Sequence, residues 1–360
     1  MRVSGGVVHN ERRDRVRIMI TSPLEEDHVR RIEAAYPDQI ELIFRPDLLP
    51  PARYIADHDG DPSWSRSARQ ETEWHALLAT ADVFWDFPRG DSRHPRRYAP
   101  KLKWVQTTSA GVGQLVHRLG IQPDELIVTT ASGIHAQPLA EFVIGSLLYH
   151  VRRFDRLLAN QQDHRWERHC TRSLAGMTMA IIGPGRIGRE VARVARAFGM
   201  RVLAMARAGG IDRAADLGVD RTFDRHELHD ILSQADCLVL STPHTPETER
   251  MIGAVELSAM KPGSTLVNIA RGAIVDEAAL IQALERGQLA FAALDVFQDE
   301  PLPADSPLWE LPNVLISPHS ASTVDTENAR IVDLFIRNLG HYLDGDTASM
   351  SPRLDIRRLY

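Results

Sequence analysis

Residues 180–188 read Ala180-Ile181-Ile182-Gly183-Pro184-Gly185-Arg186-Ile187-Gly188, an apolar run followed by a glycine turn and the start of a helical pattern. In such a connection Gly183 allows a sharp turn, Gly185 lets the backbone approach a pyrophosphate, and Gly188 lets the helix pack closely on the strand. The phosphates would lie at the helix N-terminus, where free N–H groups and the helix dipole favour negative charge. The stretch predicts a dinucleotide site, although glycines also serve plain strand–helix turns.

The composition is that of an ordinary globular protein. The chain has 360 residues, of which 43% are hydrophobic and 25% are charged, and this length favours two domains. The net charge of −6 gives no basic excess for nucleic acid or anionic lipid, and no apolar run is long enough to span a membrane. Cys170 and Cys237 are isolated, which argues against a disulfide framework or a zinc site. We therefore expect a cytoplasmic protein with no metal, nucleic-acid or membrane partner.

Strand patterns and helix patterns alternate along the first third of the chain, which predicts a parallel sheet with helices on its faces. Strands are predicted at 16–21, 40–44, 82–87 and 102–107, helices at 25–36 and 71–80, and a loop at 48–67. Ser109, Ala110 and Gly111 follow the last of these strands. Small residues at a strand end expose backbone N–H groups that suit a carboxylate, but a simple turn would have the same composition.

The second part of the chain repeats this alternation. A buried helix is predicted at 139–158 with Pro138 as its first residue, and another after the glycine turn, with Ile187, Val191, Val194 and Phe198 on one face and Gly199 at its end. Further strands are predicted at 177–182, 201–205, 237–240, 265–269, 290–294 and 314–316. Ligands bind at the carboxyl ends of parallel strands. Residues at or beside these ends are Gly183, Arg207, Thr242, Pro243, Ala270, Arg271, Asp295 and His319.

The residues after the 201–205 strand bear on the choice of cofactor. An NAD site carries an acidic residue about twenty positions beyond the glycines, where it binds the ribose 2′-hydroxyl. This chain has Ala206 and Arg207 instead. Because a cation pairs with a 2′-phosphate, we expect NADP(H) to be favoured over NAD(H). The alternative is that Arg207 is a solvent-facing loop residue.

Arg271, Glu300 and His319 form the set that suggests a reaction. Each has a structural explanation when taken singly. Together they supply a guanidinium that can hold a carboxylate, an imidazolium that can protonate a carbonyl oxygen, and a carboxylate that orients the imidazole and favours its charged form. These groups suit the reduction of a 2-oxo acid by hydride transfer.

Several motifs in order resemble those of the D-isomer-specific 2-hydroxyacid dehydrogenases. They are Leu174-Ala175-Gly176 leading into residues 181–188, Thr242-Pro243-His244-Thr245-Pro246-Glu247-Thr248, Asn268-Ile269-Ala270-Arg271-Gly272, Leu294-Asp295-Val296-Phe297 through Glu300-Pro301-Leu302, and Ser317-Pro318-His319.

The resemblance implies a role for each matching residue. Arg271 would bind the substrate, His319 would be the acid/base and Glu300 its partner. Asp295 would contact the nicotinamide, and Ser109, Ala110 and Gly111 would hold the substrate carboxylate. The cofactor would lie along Gly183, Gly185, Arg186, Ile187, Gly188, Arg207, Thr242, Pro243, Ala270, Asp295 and His319.

The resemblance also implies a domain organisation. We expect an α/β protein with a Rossmann-type NAD(P)-binding domain at 133–319 and a discontinuous, flavodoxin-like substrate domain at 1–132 and 320–360. The helix from Pro138 would contribute to a homodimer interface.

The predicted function is reduction of a small 2-oxo acid, with a glyoxylate or hydroxypyruvate reductase favoured. A phosphoglycerate dehydrogenase is an alternative, although the chain ends without the regulatory domain that many of those enzymes carry. A non-enzymatic dinucleotide-sensing scaffold is the alternative from another class, since fold alone does not decide function.

Overall fold

The structure, a computed structural model, describes residues 15–90, 93–206 and 213–358. The chain divides into two compact units, Met1–Ala131 with Val324–Tyr360 and Ser132–Thr323. We name them the five-stranded unit and the seven-stranded unit after their sheets. The predicted Arg207 lies outside the described residues.

Strands and helices alternate in the five-stranded unit. In chain order they are β1 Val16–Ile20, α1 Glu26–Ala35, β2 Ile40–Ile43, α2 Ala68–Leu78, β3 Val83–Trp85, β4 Trp104–Gln106, α3 Gly113–Arg118 and β5 Ile127–Thr129. The strands are parallel and lie in the order β2-β1-β3-β4-β5, which is the flavodoxin-like order.

The seven-stranded unit has the same alternation. Its elements are α4 Ala136–Val151, α5 Phe154–Gln162, β6 Thr178–Ile182, α6 Arg186–Ala197, β7 Arg201–Met205, α7 Ala214–Leu217, β8 Arg221–Phe223, α8 Leu228–Gln234, β9 Cys237–Leu240, α9 Ala254–Ala259, β10 Ser264–Asn268, α10 Glu277–Glu285, β11 Leu289–Leu294 and β12 Val314–Ile316. The strand order is β12-β11-β10-β9-β6-β7-β8. If β6 is numbered as the first strand, the order read from the β8 edge is 3-2-1-4-5-6-7. This is the Rossmann order 3-2-1-4-5-6 with one strand added at the edge. The predicted α/β class is therefore confirmed.

The last helix, α11 Glu327–Leu343, belongs to the five-stranded unit. Its Phe335 stacks on Trp104 with a centroid distance of 5.0 Å and meets the edge of Trp85 at 5.5 Å. All three rings are buried. Aromatic burial of this kind is a large stabilising contribution, so α11 completes the core of a unit whose other elements lie some two hundred residues earlier.

Two helix predictions need correction. The predicted 139–158 helix is two helices, because the chain turns at Arg152 and Arg153, and Arg153 takes a left-handed φ of 54°. Pro138 is the third residue of α4, not the first; it is tolerated there because first-turn N–H groups have no partner within the helix. On α6, Phe198 is not on the packed face. It caps the helix and is 42% exposed, while Gly188, Val191, Ala192 and Ala195 are buried.

Candidate active site

The glycine turn brings the end of β6 against the segment that follows β9. Gly183 has a φ of 91°, and a Cβ built on it would lie 2.6 Å from Cα of Thr242. A Cβ on Gly188 would lie 2.6 Å from the carbonyl oxygen of Gly183. Any side chain at either position would force the backbone apart, so both glycines are required by packing.

Gly185 differs from Gly183 and Gly188, because a Cβ built on it would meet no atom of the described residues within 4 Å. It is the N-cap of α6, and no side chain in the described part of the chain caps this helix end. The N–H groups of the first turn, at Arg186, Ile187 and Gly188, therefore face a place that a ligand can approach closely. This geometry fits a pyrophosphate. The Arg186 guanidinium lies nearby and donates through Nη1 to the carbonyl of Ser132 at 2.9 Å.

The turn that carries Arg271 is held by a residue that sequence reasoning did not single out. Asn268, buried at the end of β10, accepts a hydrogen bond from the N–H of Ala270 at 3.1 Å and donates to the carbonyl of Arg271 at 3.1 Å. An amide directly after the apolar pair Leu266 and Val267, at the end of a strand, was the available signal. Burial lowers the pKa of Arg271, and the charges of Glu300 and Asp295 oppose this effect.

Gly272 is a second position whose role was not predicted. A Cβ on it would lie 1.9 Å from both C and O of Phe297. The Arg271 turn therefore touches the backbone of the 297–300 segment, which carries Glu300. Only a residue without a side chain permits this approach.

Glu300 and His319 form a close pair. His319 Nδ1 lies 2.7 Å from Glu300 Oε2, and Glu300 Oε1 accepts a hydrogen bond from the N–H of Phe297 at 3.0 Å. Burial works to raise the pKa of Glu300, but the bonds from His319 and Phe297 and the charges of His319 and Arg271 bring the pKa below its usual range. Glu300 is therefore a carboxylate at neutral pH. Nε2 of His319 makes no hydrogen bond within the described ranges.

Asp295 holds the segment that contains His319 in place through hydrogen bonds. Its Oδ1 accepts hydrogen bonds from Ser317 Oγ at 2.6 Å and from the N–H groups of Ser320 and Ala321 at 2.9 Å. Its carbonyl accepts from the N–H of His319 at 2.9 Å. His319 itself has a left-handed φ of 54°. These bonds hold the imidazole over the strand ends.

The other predicted residues follow strand ends as expected. Thr242 and Pro243 come after β9, and the carbonyl of Pro243 accepts from Thr248 Oγ1 at 2.8 Å. Ala270 follows β10. Ser109, Ala110 and Gly111 follow β4 in the five-stranded unit. At the ribose end, Ala206 is buried at the close of β7, and Arg207 lies outside the described residues.

The described residues contain neither a metal-binding cluster nor a membrane-spanning helix. In residues 15–90, 93–206 and 213–358, no group of three or more His, Cys, Asp or Glu side chains has a geometry that would hold a metal. No helix in these ranges has both the length and the apolar character of a membrane span.

Sequence comparisons identify the family of this chain. Residues 144–321 match the model of the D-isomer specific 2-hydroxyacid dehydrogenase, NAD binding domain. A glyoxylate reductase from Aeropyrum pernix is 35% identical over 265 residues, which are 69% of this chain and 75% of that relative. A D-3-phosphoglycerate dehydrogenase from Methanocaldococcus jannaschii is 31% identical over 318 residues, or 87% of this chain and 55% of that relative.

Solved structures show the same fold. A D-isomer specific 2-hydroxyacid dehydrogenase family protein from Aeromonas salmonicida has a TM-score of 0.77 and 28% identity, and covers 95% of this chain and 100% of that chain. A D-isomer specific 2-hydroxyacid dehydrogenase from Xanthobacter autotrophicus, in complex with NADPH and MES, has a TM-score of 0.72 and 29% identity over the same shares. The chain therefore belongs to the D-isomer specific 2-hydroxyacid dehydrogenase family and is an NAD(P)-dependent oxidoreductase.

Proposed function

We propose that this enzyme reduces glyoxylate or hydroxypyruvate with NADPH. The observation that supports it most directly is the 2.7 Å hydrogen bond between His319 and Glu300 in the same unit as the half-buried Arg271. These three side chains suit a substrate with a carboxylate next to a carbonyl. Two archaeal glyoxylate reductases, at 35% and 34% identity, support the choice of substrate.

Each of the three side chains has one role in the proposed reaction. The Arg271 guanidinium binds the carboxylate and polarises the carbonyl of the 2-oxo acid. His319 donates a proton from Nε2 to the carbonyl oxygen as the carbon is reduced. Glu300 holds the ring through Nδ1 and favours its protonated form. A bound nicotinamide supplies the hydride.

The residues that would hold the cofactor follow the strand ends. Gly183, Gly185, Arg186, Ile187 and Gly188 would bind the pyrophosphate. Arg207 would pair with a 2′-phosphate, which is why we favour NADPH over NADH. Thr242, Pro243, Ala270, Asp295 and His319 would line the nicotinamide half.

The domain roles are part of the proposal. We assign 133–319 to cofactor binding and 1–132 with 320–360 to substrate binding. In the second of these, the turn of Ser109, Ala110 and Gly111 would bind the substrate carboxylate through backbone N–H groups.

A phosphoglycerate dehydrogenase activity is the second candidate. It is favoured by one observation, the 31% identity to a D-3-phosphoglycerate dehydrogenase over 87% of this chain. That enzyme acts on a phosphorylated acid, so 3-phosphohydroxypyruvate has to be among the substrates tested.

The decisive experiment is a steady-state comparison of NADPH with NADH across glyoxylate, hydroxypyruvate, pyruvate, phenylpyruvate and 3-phosphohydroxypyruvate. We expect the highest kcat/KM for NADPH with glyoxylate or hydroxypyruvate. A preference for the phosphorylated acid would support the second candidate, and failure to oxidise either nucleotide with any acid would refute both.

We further propose a cytoplasmic homodimer. Apolar side chains on and after α5 support self-association, because Leu157, Leu158 and Trp166 are 46%, 55% and 96% exposed. Replacing Leu157 and Leu158 together by glutamate should shift the sedimentation coefficient to that of a monomer. Val255→Glu, at a position that is 65% exposed on α9, is the matched control and should leave the dimer intact. Dimers that persist in the double variant would contradict this interface.

A further inference from the structure

Asp86 has two features that cost free energy. It follows β3 in the five-stranded unit, its side chain is buried, and its backbone has a left-handed φ of 67°. Removing a carboxylate from water is unfavourable, and so is a positive φ in a residue other than glycine. The surrounding contacts must compensate for the burial of the carboxylate and for the positive φ. They also show which segment of the chain Asp86 holds in place.

Thr108 is the side-chain partner of Asp86. Asp86 Oδ2 accepts a hydrogen bond from Thr108 Oγ1 at 2.6 Å, and Oδ1 accepts from the N–H of Phe87 at 2.8 Å. Burial raises the pKa of Asp86, while the Thr108 hydroxyl, the charge of His58 and the backbone N–H groups of Phe87 and Thr108 limit the rise. The donors around this carboxyl group thus suit its ionised form.

Thr108 immediately precedes the turn of Ser109, Ala110 and Gly111. The carbonyl of Ser109 accepts hydrogen bonds from Thr107 Oγ1 at 2.8 Å and from the N–H of Ala131 at 3.1 Å. The chain passes here from a buried Thr108 to an exposed Ser109. Side chains therefore hold the buried end of the turn. Thr107 binds the carbonyl of Ser109, and Asp86 binds Thr108, the residue just before the turn.

We propose that Asp86 is a positioning residue for the substrate carboxylate. By fixing Thr108, it sets the direction in which the following backbone N–H groups point. The inference rests on the proposed function, in which this turn binds the carboxylate. Because binding groups must be held within fractions of an ångström, loss of the anchor should weaken substrate binding far more than cofactor binding.

The test uses two substitutions at Thr108. Thr108→Val keeps the shape of the side chain and removes the hydroxyl, whereas Thr108→Ser retains the hydroxyl and removes the methyl group. We expect Thr108→Val to raise the KM for glyoxylate and the Ki of oxamate, an unreactive 2-oxo acid analogue, by about tenfold. The Kd of NADPH, followed by fluorescence quenching, should not change, and Thr108→Ser should restore both substrate constants toward wild type.

Asp86→Asn provides a second measurement. It replaces one carboxylate oxygen by an NH2 group, which cannot accept a hydrogen bond. We therefore expect a smaller rise in the same two constants, again with an unchanged Kd for NADPH. A KM for Thr108→Val equal to that of the wild type, or a rise matched by Thr108→Ser, would overturn the positioning role.

The two proposals fail in different ways. If the wild-type enzyme turns over no 2-oxo acid, the proposed function is wrong and this inference falls with it. If the wild type is active and Thr108→Val leaves both substrate constants unchanged, only the role of Asp86 is wrong.

Discussion

At the scale of single residues, His319 is held from two directions. Its ring forms a hydrogen bond with Glu300, and its backbone N–H donates to the carbonyl of Asp295. The carboxylate of Asp295 also accepts hydrogen bonds from Ser317 and Ser320, which lie on either side of His319. A ring fixed in this way presents Nε2 without losing side-chain entropy on substrate binding. The position of His319 in the fold thus depends on two carboxylates with different tasks.

The first prediction concerns proton transfer by His319. Replacing His319 by alanine should lower kcat for 2-oxo acid reduction by about two to four orders of magnitude, which is the usual contribution of a general acid. The Kd of NADPH should stay within about threefold of wild type. Single-turnover reduction separates chemistry from product release, and a variant that reduces the acid at the wild-type rate would contradict the assigned role.

The second prediction concerns the pH profile of Glu300→Gln. The lowered pKa of Glu300 means that it is anionic throughout the neutral range, where its Oε2 pairs with His319 Nδ1 at 2.7 Å. Protonation of Glu300 removes that negative charge, so kcat/KM of the wild type should fall as pH drops through the lowered pKa of Glu300. Glu300→Gln removes the charge at every pH, so this acid limb of the kcat/KM profile should disappear. A limb that stays in place, measured in buffers of constant ionic strength, would show that the charge has no such effect.

At the scale of elements, close contact between turns builds the site. Gly272 lets the turn after β10 touch the backbone at Phe297, and Gly183 lets the turn after β6 touch Thr242. Neither contact joins neighbours in sequence. Each is a consequence of the strand order, which brings the carboxyl ends of β6, β9, β10 and β11 to one edge of the sheet.

The third prediction uses two glycines as a matched pair. Gly272→Ala inserts a methyl group where no space exists, so it should destabilise the protein by about 1–3 kcal/mol and abolish most activity. The methyl group of Gly185→Ala would meet no atom within 4 Å in the part of the chain that the structure describes, so the free energy of unfolding should be nearly unchanged while the Kd of NADPH rises. Urea unfolding and nucleotide titration of both variants check this. Equal stability of the two would refute the packing argument.

At the scale of the whole molecule, Asp57 links stability to pH. Its side chain is buried in the loop that follows β2, where Arg53 donates two side-chain hydrogen bonds at 2.8 and 3.0 Å and Gly60 N donates at 3.0 Å. Burial works to raise the pKa of Asp57, but these bonds lower it to about 2. A long segment predicted only as loop is therefore organised around one carboxylate.

The fourth prediction follows from that shift. A depressed carboxyl pKa contributes stability that is complete above the unfolded value of 3.8 and is lost as pH falls toward about 2. Asp57→Asn should therefore cost about 2 kcal/mol near neutral pH. The cost should shrink in acid, as measured by urea unfolding at about pH 7 and about pH 2.5. A penalty that is equal at both pH values would contradict the assigned pKa.

Much of the fold could be predicted, because periodic apolar patterns report local structure. Strands β7, β9 and β12 match their predicted bounds, and Gly199 follows the end of α6 as expected. The short strands β5 and β8 and helices α3, α7, α8 and α9 were not predicted. A three-residue strand carries too few positions for a period to be recognised, and its pairing is decided by neighbours far along the chain.

The sequence by itself determined the α/β class and the glycine turn after β6, because each depends on residue types at local spacings. It also predicted Arg271, Glu300 and His319 as one chemical set, from their chemistry and from the motifs that carry them. Only the tertiary structure decided how that set is held. The amide of Asn268, the absence of a side chain at Gly272 and the carboxylate of Asp295 act on residues distant in sequence or through backbone geometry. Such contacts are short-ranged in space and produce no periodic pattern of residues in the sequence. They therefore become visible only once the strands are paired in register.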